Sequence, residues 1–184
     1  MLEQALLRQW IKEARAGDSA AFERIMLLHE RTVLRTAQRL LLNSEDAKDA
    51  AQEVFVRLHK KLHQLEEEKN LVAWLYRVTV NICLDEKRRG RRSARLEDAA
   101  QTVDRAPDPE QAFGSLEEKA LVTAALRQLS ARERAAIVLR DLEGCSTSEV
   151  AQILGSSEVT VRSQISTGRT KIRKFVTARL RKRT

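Results

Sequence analysis

The sequence predicts an all-α protein of two small helical domains joined by a flexible acidic linker, the C-terminal domain being a helix-turn-helix. Three observations predict this fold class. Apolar residues recur at three- and four-residue steps over most of the 184 residues. Six glycines and two prolines are too few for the frequent turns of an all-β protein. Both prolines, Pro107 and Pro109, fall in an acidic stretch that lacks helical periodicity.

The first half predicts four helices, and we place the first domain at residues 1–91. The second helix opens at Asp18 or Ser19, and Ser44 can cap the third. A polar turn from Glu66 to Asn70 separates the third helix from a fourth, which we expect to end at Gly90. Residues 92–114 then form the linker.

The second domain, residues 115–184, contains two capping boxes. In each, a serine is followed three residues later by a glutamate, at Ser130 and again at Ser146, which predicts two helix starts. The second of these helices ends at Leu154, and the last helix begins at about Glu158. Two helices joined by three residues, one of them glycine, describe a helix-turn-helix.

Composition excludes several classes of protein. No apolar run approaches the roughly 18 residues of a membrane span, and the charged N-terminus is unlike a signal peptide. The two cysteines, Cys83 and Cys145, lie in different halves, so no disulfide framework is expected. These features predict a soluble cytoplasmic protein without membrane insertion.

The distribution of charge predicts a polyanionic partner. The chain has 34 basic and 26 acidic residues, a formal net charge of +8. Residues 87–95 carry six positive charges and no negative one, and no acid follows Glu158. Two separate basic blocks indicate nucleic acid, because a basic membrane helix would carry a bulky apolar face opposite them.

The last helix combines an apolar face with a basic and hydroxylic one, which suits the DNA major groove. Arginine can bridge guanine there, whereas we expect the hydroxyl groups and Lys171 to contact phosphates. An ordinary helical hairpin with a solvated basic face is the alternative. The candidate residues for binding duplex DNA are Glu158, Thr160, Arg162, Ser163, Ser166, Arg169, Lys171 and Arg173.

Two further groups of residues lie in the first domain. On the third helix Asp49, Gln52 and Glu53 form a polar stripe that suits a basic partner helix, although such a stripe is often only solvated. On the fourth, Tyr76 and Asn81 precede a basic run, as an unstacked nucleotide requires. The alternative is that the aromatic residues of this helix belong to the core.

Three segments together resemble the bacterial RNA polymerase sigma factors of the extracytoplasmic-function group, within the sigma-70 family. They are residues 46–62, 74–92 and 142–173. The resemblance implies that the first domain binds the β′ clamp helices and opens the minus-ten promoter element. It implies that the second domain rests on the β flap and reads the minus-thirty-five element.

By position, the resemblance implies that Asp49, Gln52 and Glu53 contact the clamp. It implies a pocket for a flipped base, closed by the turn from Gln64 to Asn70, and a track for the strand backbone. The pocket residues are Phe55, Tyr76, Val78 and Asn81, and the track residues are Arg77, Lys87, Arg88 and Arg92. The chain departs from the family pattern at residues 156–159, where many members have a Pro and a Gly, and at Gly168.

The sequence therefore predicts a sigma factor that recruits core RNA polymerase to promoter DNA and is controlled by an anti-sigma factor. The alternative is a two-domain repressor or activator that binds duplex operator DNA as a dimer. A helical RNA-binding factor is a third class. We expect no enzyme activity, no cofactor and no metal; His59 and His63, four residues apart, are interpreted as solvated.

Overall fold

The computed structural model of the protein describes residues 2–64, 69–96 and 116–181, all helices and short turns. The first half contains α1 (Leu2–Arg15), α2 (Ser19–Leu41), α3 (Ser44–Lys61), a 3-10 turn (Leu62–Gln64) and α4 (Lys69–Leu96). The second half contains α5 (Leu116–Arg127), α6 (Ala131–Ile137), a π-helical segment (Val138–Leu142), α7 (Thr147–Leu154) and α8 (Glu158–Arg181). The predicted all-α fold class is confirmed.

Short polar side chains determine where the helices of the first half begin. The carboxylate of Asp18 accepts hydrogen bonds from the N–H groups of Ala20 and Ala21 and caps α2. Leu42 then turns the chain at a φ of 61°, and the Asn43 side chain accepts from the first N–H groups of α3. The prediction that Ser44 caps α3 was wrong, because Ser44 is already the first helical residue and the extended residue before it is Asn43.

Both capping boxes of the second half are present. Ser130 and Glu133 open α6, and Ser146 and Glu149 open α7. Gly155 ends α7 in the left-handed conformation, at a φ of 57°, and α8 begins three residues later. The predicted helix-turn-helix is confirmed.

Helix α4 is longer than predicted. It continues through Gly90 to Leu96, so the expectation that Gly90 ends it was wrong. A helical glycine costs only about 1 kcal/mol, and the arginines that flank it favour helix. The first residues of the predicted linker therefore belong to α4, and its remaining residues, 97–114, lie outside the described part of the chain.

The two halves pack against each other through their helices. Within the first half, α2 packs on α1, α3 and α4; within the second, α6 and α7 pack on α8. Between the halves, α4 contacts α7 and α2 contacts α6, so buried residues of both belong to one hydrophobic cluster. In the described part of the chain, none of the helices is long and apolar enough to cross a bilayer.

Gly168 allows α8 to lie close to α6. A Cβ placed on it would come within 2.9 Å of Ile137 Cγ1, closer than side chains tolerate, and within 3.3 Å of Ile137 Cδ1, a tight contact. The residue that departs from the sigma-factor pattern therefore has a packing reason in this chain. It fixes the distance between the final helix and the core that supports it.

Candidate polymerase and nucleic-acid interfaces

The residues predicted to read duplex DNA lie along one face of α8. Its opposite face is buried at Val161, Ile165 and Gly168, which anchor the helix to the second domain. This packing turns a row of hydrogen-bonding and cationic side chains toward solvent. The exposed members of the predicted set are Thr160, Arg162, Ser163, Ser166, Arg169 and Arg173; Glu158 and Lys171 are half-buried.

Two arginines on the exposed face of α8 are paired with carboxylates. Arg162 donates to Glu158 at 2.6 Å, and Arg169 donates twice to Asp141. Both arginines remain more than half exposed, so each guanidinium group can donate to DNA from its other N–H groups while the carboxylate holds it. As exposed pairs, these contacts contribute only about 0–1 kcal/mol to stability. These two guanidinium groups are thus held in place and are available to DNA.

Lys171 is held more firmly than the arginines. Its ammonium group lies 2.8 Å from both carboxylate oxygens of Glu133, the side chain that also completes the capping box of α6. Burial alone would raise the pKa of Glu133. The hydrogen bonds from Lys171 and Ser130 have the opposite effect and are stronger together, so the pKa of Glu133 lies below its usual value. Lys171 therefore ties α8 to α6, in addition to its predicted contact with phosphate.

The start of α8 is set by side chains in place of the proline and glycine common in the family. The Ser157 hydroxyl accepts a hydrogen bond from the N–H of Thr160 at 3.2 Å. Arg132 donates to the Leu154 carbonyl at the end of α7 at 3.0 Å. The first contact caps the start of α8, and the second ties the end of α7 to α6, on which α8 also packs.

The predicted clamp-binding stripe is exposed on α3. Asp49, Gln52 and Glu53 all lie at the surface, while Ala50 and Val54 face the core. Arg57 donates to Glu53 at 2.7 Å within the same helix, and both side chains are about half exposed. The structure therefore brings the three residues together on one accessible face.

The predicted pocket for a flipped base is divided between different faces of α4. Five residues separate Tyr76 from Asn81, a rotation of about 140° around the helix. Tyr76 is half-buried against the second domain, whereas Asn81 is exposed. Arg77, Asn81 and Arg88 instead follow one exposed face at helical spacing.

The remaining members of the predicted pocket are less accessible. Phe55 is buried in the core at 7% exposure, and Val78 is half-buried against it. Lys87 is half-buried. Residues 65–68 of the predicted closing turn, and the side chain of Arg92, lie outside the described part of the protein. Asn81 and the arginines beside it are thus the accessible part of the predicted minus-ten site.

Comparison with known proteins identifies the family. A family model described as sigma-70 region 2 matches residues 25–103, and one described as sigma-70, region 4 matches residues 119–172. The chain is 33% identical over 163 residues to the "ECF RNA polymerase sigma factor SigM" of Mycobacterium tuberculosis, covering 88% of this chain and 80% of that protein. The chain is an extracytoplasmic-function sigma factor.

Another relative of this sigma factor spans a similar length. The "ECF RNA polymerase sigma factor SigW" of Bacillus subtilis is 27% identical over 181 residues, covering 93% of this chain and 97% of that one. Among solved structures, the sigma factor RpoE in complex with the anti-sigma factor NepR from Bartonella quintana aligns with a TM-score of 0.74. It is 26% identical and covers 85% of this chain and 96% of that chain. Both sigma regions are therefore present in one chain.

A cluster of charged residues between the two domains of the sigma factor was missed from the sequence. The Glu143 carboxylate accepts hydrogen bonds from Arg39 at 2.7 Å, from Arg35 at 3.1 Å and from the Tyr76 hydroxyl at 3.3 Å. Burial and the nearby Glu143 carboxylate raise the pKa of Tyr76 above its usual value. Two arginines four residues apart on one helix repel each other, a pattern that signals a shared anion. Their partner lies 108 residues from Arg35 and 104 residues from Arg39 and could not be found by spacing.

A second buried arginine connects the same surfaces. Arg134 is 5% exposed and donates to three carbonyls, those of Leu126 at 2.9 Å, Leu129 at 3.2 Å and Leu40 at 2.9 Å. Burial and the nearby Arg127 lower its pKa to about 10, so it stays charged at neutral pH. One guanidinium group thus satisfies the carbonyl ends of α2 and of the α5 region together.

The cysteines and histidines form no reactive or metal-binding group in the described ranges. Burial raises the pKa of Cys83 to about 12 and that of Cys145 to about 11, so both are thiols at neutral pH. The His59 ring packs edge-on against Phe22 at 5.0 Å. Within the described residues no three side chains of the metal-ligating types come together.

Proposed function

We propose that this sigma factor brings core RNA polymerase to specific promoters and assists opening of the minus-ten element. The observation that carries this function is the presence of both sigma regions in one chain, with their predicted contact faces exposed on α3, α4 and α8. The proposal includes a first domain at residues 1–91, a linker at residues 92–114 and a second domain at residues 115–184.

The exposed acidic stripe of α3 binds the β′ clamp helices. Asp49 and Glu53 supply charge and Gln52 supplies hydrogen bonds to a basic partner surface. The α8 face enters the major groove at the minus-thirty-five element, where Arg162 and Arg169 contact bases. The second domain also rests on the β flap.

Promoter opening needs no ATP in this scheme. Unstacking duplex DNA costs on average about 1.4 kcal/mol per base-pair step. Capture of an extruded base contributes about 1–3 kcal/mol, so one or two captured bases bias the opening. Asn81, exposed on α4 between Arg77 and Arg88, offers donors and an acceptor to the edge of such a base, and the arginines follow the strand backbone.

The chain acts as a non-catalytic cytoplasmic factor, and it takes an anti-sigma factor as its regulator. The similar structure of the sigma factor RpoE, solved in complex with the anti-sigma factor NepR, supports this proposal. The exposed faces of α3 and α8 already hold the groups that polymerase and DNA require, so no cofactor or metal enters the mechanism.

Reconstituted transcription tests the proposal. Core polymerase is mixed with the wild-type chain, with the double variant D49K/E53K, or with the control E30K, which reverses an exposed acid on α2. Wild type and E30K should co-purify with core polymerase and direct initiation at discrete promoters. D49K/E53K should do neither while its helical circular dichroism spectrum is unchanged.

The result also separates a sigma factor from a repressor or activator. A repressor would bind duplex operator as a dimer without polymerase and would be indifferent to D49K/E53K. Unchanged co-purification of the double variant with core polymerase would contradict the assignment of the clamp-binding stripe.

A further inference from the structure

Glu143 lies at the contact between the two domains with its charge almost fully enclosed. Its side chain is 1% exposed, whereas those of Arg35 and Arg39 are 41% and 28% exposed. The arginines come from α2 in the first domain, and Glu143 follows the π-helical segment of the second. The ion pairs therefore cross between the domains, and they enclose the acid far more completely than the two arginines.

The π-helical segment directs Glu143 toward the first domain. The N–H of Glu143 donates to the carbonyl of Val138, five residues earlier, at 2.9 Å. The wider turn ends α6 before the chain reaches α7, and such turns are frequent at functional sites. Local backbone geometry in the second domain thus positions an acid whose three partners all lie in the first.

This contact also occupies Tyr76, one of the residues predicted for the minus-ten site. The Tyr76 hydroxyl lies 3.3 Å from the Glu143 carboxylate, on the α4 face that looks toward the second domain. Arg134 adds a second link, from α6 to the Leu40 carbonyl at the end of α2. While these contacts persist, Tyr76 is not available to a base.

We propose that Glu143 is an intramolecular latch, which holds the two domains of the free chain closed through Arg35, Arg39 and Tyr76. Its consequence for promoter binding rests on the proposed function. Release of the latch exposes Tyr76 and lets the domains separate. The apparent affinity for a minus-ten strand is then reduced in the free chain by the fraction of molecules that are open.

The choice of variants follows from the burial of Glu143 and of the two arginines that contact it. E143Q removes the charge and retains the size of the side chain. The Arg35 and Arg39 side chains are 41% and 28% exposed, so their terminal N–H groups can turn to water, although Nε of Arg35 is buried. R35Q/R39Q removes the same ion pairs from the other domain. E30Q, on an exposed part of α2, is the matched control.

Small-angle X-ray scattering of the free full-length chain measures the closed state directly. A compact chain of this length has a radius of gyration of about 16 Å, and separation of two domains raises it by roughly a quarter. E143Q and R35Q/R39Q should both show this increase, and wild type and E30Q should not. Circular dichroism checks that each variant is folded. If E143Q does not fold, R35Q/R39Q still tests the latch.

The second measurement is the binding of a fluorescent single-stranded minus-ten oligonucleotide from a promoter that the wild type transcribes. Both latch variants should bind it roughly three- to tenfold more tightly than wild type. Folded variants with an unchanged radius of gyration would overturn the latch. Expansion without tighter binding would overturn its role in promoter binding. A wild-type chain that initiates at no promoter would count against the proposed function and leave the scattering result valid.

Discussion

The guanidinium of Arg169 is held by the carboxylate of Asp141 through two hydrogen bonds, at 2.5 Å from Nη2 and 3.0 Å from Nε. Asp141 belongs to the π-helical segment and Arg169 to the exposed face of α8. The hydrogen bonds from Arg169, with the charge of Asp141, raise the pKa of Arg169 above its usual value. A fixed, planar donor is therefore presented to DNA before binding.

Removing this support should affect sequence preference more than stability. For D141N we expect a loss of less than about 1 kcal/mol in unfolding free energy, because the pair is exposed. The preference at one minus-thirty-five base pair should weaken, since the guanidinium is no longer oriented. Competition binding to a panel of single-base promoter variants measures this. A uniform change across the panel would show that Asp141 does not orient a base contact.

Gly168→Ala should destabilise the protein even though alanine favours helices. The added Cβ would meet Ile137 at 2.9 Å, and overpacking of this kind costs about 1–3 kcal/mol. The gain in helix propensity, about 1 kcal/mol, is smaller or comparable. Urea unfolding of G168A and of the exposed control S163A measures the difference. A G168A protein more stable than wild type would show that α8 can move away from α6 at little cost.

Arg134 should be among the most sensitive positions of the interface between the domains. Arg134→Met removes the guanidinium donor from three buried carbonyls, of which that of Leu126 keeps a hydrogen bond from the Leu129 N–H, so we expect a loss of about 3 kcal/mol or more. Arg134→Lys keeps the charge but cannot reach three acceptors at once, and its loss should be intermediate. Chemical unfolding checks both. Equal stability of wild type and R134M would mean that water satisfies these carbonyls.

The capping box of α7 should contribute to the pH dependence of stability. Hydrogen bonds from the Ser146 N–H and from its hydroxyl lower the pKa of Glu149 below its usual value. Because the pKa of Glu149 is lower in the folded state than in the unfolded state, where it is about 4.3, the ionised carboxylate stabilises the folded state at pH values above about 4.3. This contribution disappears as the pH falls through the pKa of the folded state. The unfolding free energy of wild type should exceed that of E149Q at about pH 6, and the difference should shrink as the pH falls below the unfolded-state pKa of about 4.3. A constant difference would exclude Glu149 as the titrating group.

Local patterns predicted most of the fold. The capping boxes at Ser130 and Ser146 and the left-handed Gly155 depend on neighbouring residues, so the helix-turn-helix could be placed from the sequence. The end of α4 could not, because a single glycine is a weak signal in a run of arginines. The exposed stripes of α3 and α8 followed from helical periodicity in the same way.

Contacts between distant segments were not predictable. Tyr76 is near Asn81 in the sequence, but the two lie on different faces of α4, and the partner of Tyr76 is in the second domain. Lys171 was interpreted only as a phosphate contact because its ion pair with Glu133 spans 38 residues. Periodicity identifies which face a residue occupies and gives no information about what covers that face.

Permanganate footprinting of unpaired thymines tests the central claim most directly, that this chain directs core polymerase to open a promoter. Thymines in the minus-ten element should become reactive only when core polymerase and the wild-type chain are both present. Asn81→Ala should reduce this reactivity on duplex templates, and a pre-melted bubble should recover initiation, because Asn81 assists only the opening step. If core polymerase with the wild-type chain leaves those thymines unreactive on every promoter that the chain binds, the account is contradicted.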